Sequence, residues 1–146
     1  MYYFAYGSNM DQTQMAERCP KVVLIGSARL IGYRLAFTIF SPKRNCGCAD
    51  ILMSSQDEVH GLLYSVTSKE MEALDRFEGH PNHYRQIQVT VNTQDGEVSA
   101  FSYEVVHKQD SLDPSKHYLH LITAAADLHN FPTSYRSMLS SIETSD

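Results

Sequence analysis

The first six residues, Met1 to Tyr6, are almost all apolar or aromatic, the run expected of a strand buried on both faces. Gly7-Ser8-Asn9 stops that run abruptly, and Asn9 or Asp11 can cap a short helix ending near Arg18, ahead of Cys19-Pro20. Residues 22–30 and 33–40 read as two strands around Gly32, followed by a loop over 41–47. Residues 49–54 and 59–66 read as a hairpin whose turn is the polar tetrapeptide Ser55-Gln56-Asp57-Glu58. Thr67-x-x-Glu70 has the form of a capping box. Met71, Leu74, Asp75 and Glu78 then recur at the three-and-four spacing of one helical side, and Gly79 and Pro81 end the helix.

Residues 84–92 alternate with period two, placing Ile87, Val89 and Val91 on one face, and Gln94-Asp95-Gly96 turns the chain into a partner strand over 98–106. A loop with Pro114 leads into a helix over 115–129, whose apolar stripe is Tyr118, Leu121, Ile122 and Ala125. Phe131-Pro132 breaks it, and Thr133 can cap a last helix ending near Ile142, with residues 143–146 expected to fray. Strands outnumber helices and several are apolar on both faces. The pattern predicts an α+β fold: a small mixed β-barrel or strongly curled sheet with flanking helices.

Length and composition narrow the function classes. The 146 residues suit a single domain over 1–146, with enough chain to bury a core without staples. Twelve Lys and Arg against seventeen Asp and Glu give a net charge of −5, with the basic residues scattered singly. That is a poor footprint for nucleic acid or an anionic membrane, so neither is expected as a partner. No apolar run approaches the roughly 20 residues of a membrane span. Residues 1–6 lack a basic n-region and a cleavage site, so no secretory leader is expected.

Three cysteines, Cys19, Cys46 and Cys48, are an odd number without framework spacing and point to a reducing, cytoplasmic compartment. Cys46-Gly47-Cys48 has no second pair to complete a zinc site, and these thiols read as small apolar residues. His80 and His83 are three apart, as are His117 and His120. The first pair lies in a Pro/Asn loop, and the second pair would aim one ring at the core. Without acidic neighbours at ligand spacing, neither reads as a metal site.

Two segments depart from what folding alone needs. Tyr6-Gly7-Ser8-Asn9 lies between a buried strand and a helix start, where Gly7 permits a tight turn or a positive φ. The amides of Gly7, Ser8 and Asn9 are then free to bind a carboxylate or a developing oxyanion. The same residues also suit an ordinary strand-to-helix turn capped by Asn9. Ser8 lacks the flanking glycines of a nucleophile elbow, which makes it a weak nucleophile candidate. The second segment, Leu74-Asp75-Arg76-Phe77-Glu78-Gly79, puts an acid at a helix end where the dipole disfavours one. Either Glu78 is exposed or paired with Arg76 or Arg85, or it faces a pocket whose apolar walls raise its pKa.

These residues, taken in order, resemble the gamma-glutamylcyclotransferase-like family almost end to end. The likeness is carried by Tyr6-Gly7-Ser8-Asn9 after an aromatic strand, Ala28-Arg29-Leu30, Ala49-Asp50-Ile51 and Asp57-Glu58-Val59-His60-Gly61. It continues through Leu74-Asp75, Glu78-Gly79, Tyr84, Ser102-Tyr103 and Pro114-Ser115 ahead of Tyr118. His60 stands where members often carry Trp, and Gly79-His80-Pro81-Asn82-His83 is this chain's own. The resemblance implies a small barrel and an enzyme, usually dimeric, that releases 5-oxoproline from a γ-glutamyl small molecule without a cofactor or metal. By that resemblance Tyr6, Gly7, Ser8 and Asn9 form the substrate loop, Glu78 is the acid/base, and Tyr84 and Tyr118 line the pocket. Strict alternation turns Tyr84 away from Ile87, Val89 and Val91, so pocket and apolar face lie on opposite sides unless a bulge intervenes. Two other readings share these residues. One is removal of a γ-glutamyl protecting group from a larger intermediate, and the other is a non-catalytic module that binds acidic or γ-glutamyl ligands.

Overall fold

The aromatic start of the chain forms strand β1 (Tyr2–Ala5), with Tyr3, Phe4 and Ala5 all buried. The computed structural model describes residues 1–146. Four further strands close a barrel around this segment: β2 (Val23–Ser41), β3 (Cys46–Ser65), β4 (Tyr84–Thr93) and β5 (Gly96–Val105). Their order is β1-β3-β2-β4-β5, antiparallel except where β1 meets β5 at Tyr3 and Phe101. Closure removes exposed strand edges. Aromatic rings fill the seam, with Tyr3 stacked on Phe101 at 5.1 Å and on Tyr64 at 6.2 Å. Four helices flank the barrel: α1 (Gln12–Arg18), α2 (Ser68–Glu78), α3 (Lys116–Leu128) and α4 (Thr133–Ser140).

Local capping follows the sequence closely. Asp11, rather than Asn9, caps α1 by accepting from the Gln14 amide. Thr67 and Glu70 form the reciprocal capping box of α2, and Gly79 closes that helix at φ 67°, a left-handed position suited to glycine. Ser115 caps α3 through the Tyr118 amide. Thr133 does not cap α4, because Pro132 takes the N-cap position and Thr133 is the first helical residue.

The strand layout differs from the local reading in one respect. Residues 22–30 and 33–40 are not two strands: β2 runs through Gly32 as one ladder against β3. Ser55-Gln56-Asp57-Glu58 does not reverse the chain. It bulges within β3, where the partners shift from Ile31–Glu58 to Tyr33–Met53. The reversal lies at residues 42–45, inside the expected loop, where Asn45 adopts φ 55°. A polar tetrapeptide can therefore serve as a solvent-side bulge as readily as a turn. What decides between them is the pairing of both flanks with the same continuous partner, a long-range property.

Two smaller expectations also change. Residues 143–146 do not fray, since the Ser145 amide donates to the Pro114 carbonyl (2.9 Å) and Asp146 accepts from the Lys116 amide (2.8 Å). The free N-terminal amides of α3 thus acquire a carboxylate partner. Neither His117 nor His120 points at the core; Leu119 is buried there instead, alongside Tyr118, Ile122, Ala125 and Ala126.

Gly61 marks the closest approach of β3 to β1. A Cβ there would lie 2.8 Å from the Phe4 ring and collide with the Ala5 carbonyl. Gly61→Ala is expected to cost about 1–3 kcal/mol of stability by overpacking. Urea unfolding checks this, and a midpoint equal to wild type would contradict the packing argument.

Candidate active site

Four segments that are distant in sequence meet around one cavity of about 940 Å³. The β1–α1 loop brings Tyr6, Gly7, Ser8 and Asn9, the end of α2 brings Glu78, β4 opens with Tyr84, and α3 contributes Tyr118. All seven residues singled out from the sequence line it.

Gly7 is not in a positive-φ turn, since its φ is −115°. What the position requires is the absence of a side chain: a Cβ would sit 3.2 Å from Ala49 Cβ and 3.6 Å from the Tyr118 hydroxyl. Residues Ser8–Met10 form one 3-10 turn, closed by the Met10 amide on the Gly7 carbonyl and the Asp11 amide on the Ser8 carbonyl. The amides of Gly7, Ser8 and Asn9 stand ahead of those bonds, as the first donors of any helical turn do.

Asn9, only 3% exposed, is the junction of the site. Its Nδ2 donates to the Tyr3 hydroxyl (2.9 Å) and, at 3.4 Å, to Glu78 Oε1. Its Oδ1 accepts from Gln14 Nε2 (2.9 Å) and Arg18 Nη1 (3.0 Å). Every amide valence is therefore used, which fixes the side chain in one orientation.

Glu78 forms no ion pair. Arg85 binds Glu104 instead, at 2.7–2.8 Å, and Arg76 pairs with no acid. The pocket alternative for Glu78 is thus the one the fold adopts. Burial pushes its carboxyl up to about 7 from an ordinary 4.5, against the opposing pull of the Arg18 and Arg44 guanidinium groups. A carboxyl poised there exchanges protons readily at neutral pH.

The tyrosines divide their hydrogen-bonding capacity in a useful way. Tyr6 donates its proton to the Tyr103 carbonyl (2.6 Å) and Tyr84 to the Ala49 carbonyl (2.7 Å), so both keep lone pairs for a cationic group. Tyr118 does the reverse. It accepts from the Ala49 amide (2.9 Å) and keeps its proton for an anion. Burial holds all three phenols above their usual range, so they remain neutral. Ala49 is itself pinned, because neighbouring Asp50 is fully buried and accepts from Thr38 (2.7 Å), the Val105 amide (2.9 Å) and Lys108 (2.8 Å). The β4–β5 register runs without a shift from Tyr84–Val105 to Thr93–Gly96. Tyr84 accordingly faces away from Ile87, Val89 and Val91, with no bulge between them.

No side chain here is equipped as a nucleophile. Ser8 Oγ accepts from Gln14 Nε2 (2.9 Å) and Arg44 Nη2 (3.4 Å) and has no base to take its proton. Burial pushes the Cys48 thiol up to about 12. Tyr3, Gln14, Arg18 and Arg44 belong to the site but were not singled out from the sequence. Gln14 and Arg18 are four apart on α1, a spacing that put them on one helical face beside Asn9. Arg44, on the β2–β3 reversal, carried no local signal. His60 lies elsewhere, paired with Glu58 (2.7 Å) and packed on Tyr135 of α4 at 4.8 Å, whereas His83 borders the cavity.

The sequence and fold have close counterparts. Residues 3–120 match the family model described as gamma-glutamyl cyclotransferase, AIG2-like. Over 99% of its length the chain is 35% identical to gamma-glutamylcyclotransferase of Bos taurus and 33% identical to that of Homo sapiens, covering 79% of each. A solved gamma-glutamyl cyclotransferase superposes with a TM-score of 0.93 at 32% identity, covering 100% of this chain and 89% of the other. With an aromatic strand, a Gly-Ser-Asn loop and a helix-end acid meeting at one cavity of a matching barrel, this chain belongs to the AIG2-like gamma-glutamyl cyclotransferase family.

Proposed function

We propose that this chain is a gamma-glutamylcyclotransferase-type enzyme that cyclises a γ-glutamyl amine or peptide to 5-oxoproline and releases the amine. The observation that carries this reading is the unpaired Glu78 carboxyl, held near neutrality against the Gly7-Ser8-Asn9 loop. The substrate α-amine attacks its own γ-carbonyl, a five-membered lactam forms and the C–N bond to the leaving amine breaks. Glu78 removes a proton from the α-ammonium and returns one to the departing nitrogen. Tyr6 and Tyr84, with acceptor lone pairs, suit the ammonium group. The Gly7–Asn9 amides and the Tyr118 hydroxyl suit the α-carboxylate or the oxyanion of the tetrahedral intermediate. Holding the glutamyl chain folded is worth about 7–11 kcal/mol for a well-placed internal reaction.

In this proposal the 146 residues act as one domain, in the cytoplasm, as a homodimer contributing to glutathione metabolism, and the reaction needs no cofactor. The deciding experiment incubates the purified protein with a panel of γ-glutamyl dipeptides, γ-glutamyl amines and glutathione and assays 5-oxoproline. Binding without 5-oxoproline would replace the enzyme with a ligand-binding module. Turnover confined to a large conjugate would favour removal of a protecting group.

Gly7→Val tests the loop. The added methyls would push into Ala49 and Tyr118 and displace the loop amides, and kcat/KM is expected to fall about 10²-fold. A folded variant with wild-type kinetics would remove the loop from the site.

A further inference from the structure

One peptide supports several parts of the site at once. The Ala49 amide donates to the Tyr118 hydroxyl (2.9 Å) and its carbonyl accepts from Tyr84 (2.7 Å). Its Cβ is also the wall that a side chain at Gly7 would meet at 3.2 Å. Ala49 sits beside an irregularity of the sheet. Phe37 pairs with Ala49 and Ile39 with Cys48, so Thr38 is an extra residue on β2 with no partner opposite it. With the ladder interrupted there, and both Ala49 backbone groups turned to phenols, the peptide needs another support to hold its place.

Asp50 supplies that support. Its side chain is fully buried yet lies outside the cavity, on the other face of β3 from Ala49. Oδ2 accepts from the Thr38 hydroxyl (2.7 Å) and from Lys108 Nζ (2.8 Å), and Oδ1 accepts from the Val105 amide (2.9 Å). One carboxylate thus ties the irregular point of β2, the end of β5 and the segment after β5 to the residue next to Ala49. Lys108 donates as well to the Val105 carbonyl (2.9 Å) and lies 3.6 Å from Glu104. The Gln109 amide donates to the Thr38 carbonyl (2.7 Å), which closes the tie from its other side. A buried carboxylate stays in place only with its counter-charge and its hydrogen bonds intact, so this clamp is as firm as Lys108 makes it.

Resting on the cyclase reading above, we infer that Lys108 and Asp50 are positioning residues for the reaction. Neither touches the substrate. The buried pair fixes the Ala49 peptide, and through it the Tyr84 and Tyr118 hydroxyls. Without Lys108 the stranded carboxylate pulls away from Thr38 and Val105, Ala49 shifts, and both phenols move with it.

The test removes the charge of Lys108, whose side chain is 35% exposed and therefore replaceable with the fold intact. In Lys108→Met, kcat/KM for the best γ-glutamyl substrate of the panel is expected to fall about 10- to 100-fold, the scale of a small misplacement of binding groups. Lys108→Arg, which keeps the charge, retains most of the activity. Lys108→Gln keeps a donor without the charge, gives an intermediate loss, and serves in place of the Met variant if that one does not fold. In a Tyr118→Phe background the loss caused by Lys108→Met shrinks, because one group it acts through is already gone, whereas a merely structural role leaves the factor unchanged. A folded Lys108→Met with wild-type kcat/KM, or a loss of the same factor in the Tyr118→Phe background, overturns the inference. The ζ-carbon NMR resonances of ¹³C-labelled Tyr84 and Tyr118, assigned with their Phe variants, are expected to move in Lys108→Met. If no substrate yields 5-oxoproline, the cyclase reading fails. The resonances still decide the clamp, since unmoved signals overturn it and moved signals support it.

Discussion

Glu78→Gln is expected to lower kcat by roughly 10²–10⁴-fold, the contribution of a positioned general acid/base. The substitution keeps the shape of the side chain and an acceptor oxygen toward Asn9 Nδ2, so fold and ligand binding should survive. An amide can neither take the α-ammonium proton nor return one to the leaving nitrogen. A variant retaining more than about a tenth of wild-type kcat would remove Glu78 from the mechanism. The pH profile gives an independent check. With its carboxyl pushed up to about 7, Glu78 becomes an effective base as the pH rises through that value. The kcat/KM profile of wild type should therefore show a rising limb near pH 7, and the Gln variant should lack it.

The same residue links activity to stability. In the unfolded chain Glu78 ionises near 4.5, whereas in the fold it holds its proton to about 7. Between those values the folded state binds more protons, so stability falls as pH rises through the window and is lowest above it. At pH 8 the buried charge costs on the order of 3 kcal/mol, which Glu78→Gln should largely recover. Denaturant melts at pH 5 and pH 8 should show the variant gaining over wild type only at the higher pH. A constant difference would mean that Glu78 is not held in an unfavourable ionised state.

Blocking the substrate α-amine by acetylation should abolish the reaction altogether. Ser8 has no base, the Cys48 thiol is pushed up to about 12 and Cys46 is buried, so the chain offers no replacement nucleophile. The attacking group has to come from the substrate, where intramolecular geometry makes it effective. In ¹⁸O-water an unblocked substrate should give 5-oxoproline with no label at the ring carbonyl, because water never attacks. Free glutamate, labelled product or turnover of the acetylated compound would each contradict internal cyclisation. Loss of activity in Ser8→Ala alone would not, since that hydroxyl accepts from Gln14 and Arg44 and helps to hold both.

Much of this was legible along the chain because the signals act within a few residues. The Thr67–Glu70 capping box, the helix end at Gly79 and the alternation from Tyr84 onward depend on neighbours no more than four positions away, and each appears as read. The Gly-Ser-Asn interruption and the misplaced acid at Glu78 were likewise visible as departures from local rules. Tertiary structure alone decided whether residues 55–58 were turn or bulge, since that follows from the pairing of both flanks with β2. It also decided that Arg85 goes to Glu104 and leaves Glu78 unpaired, and that Arg44 comes to rest on Tyr118 beside Ser8. Electrostatic environment is a through-space property set by strand register and barrel closure, so residues 36 or 69 positions apart become neighbours that no local window connects.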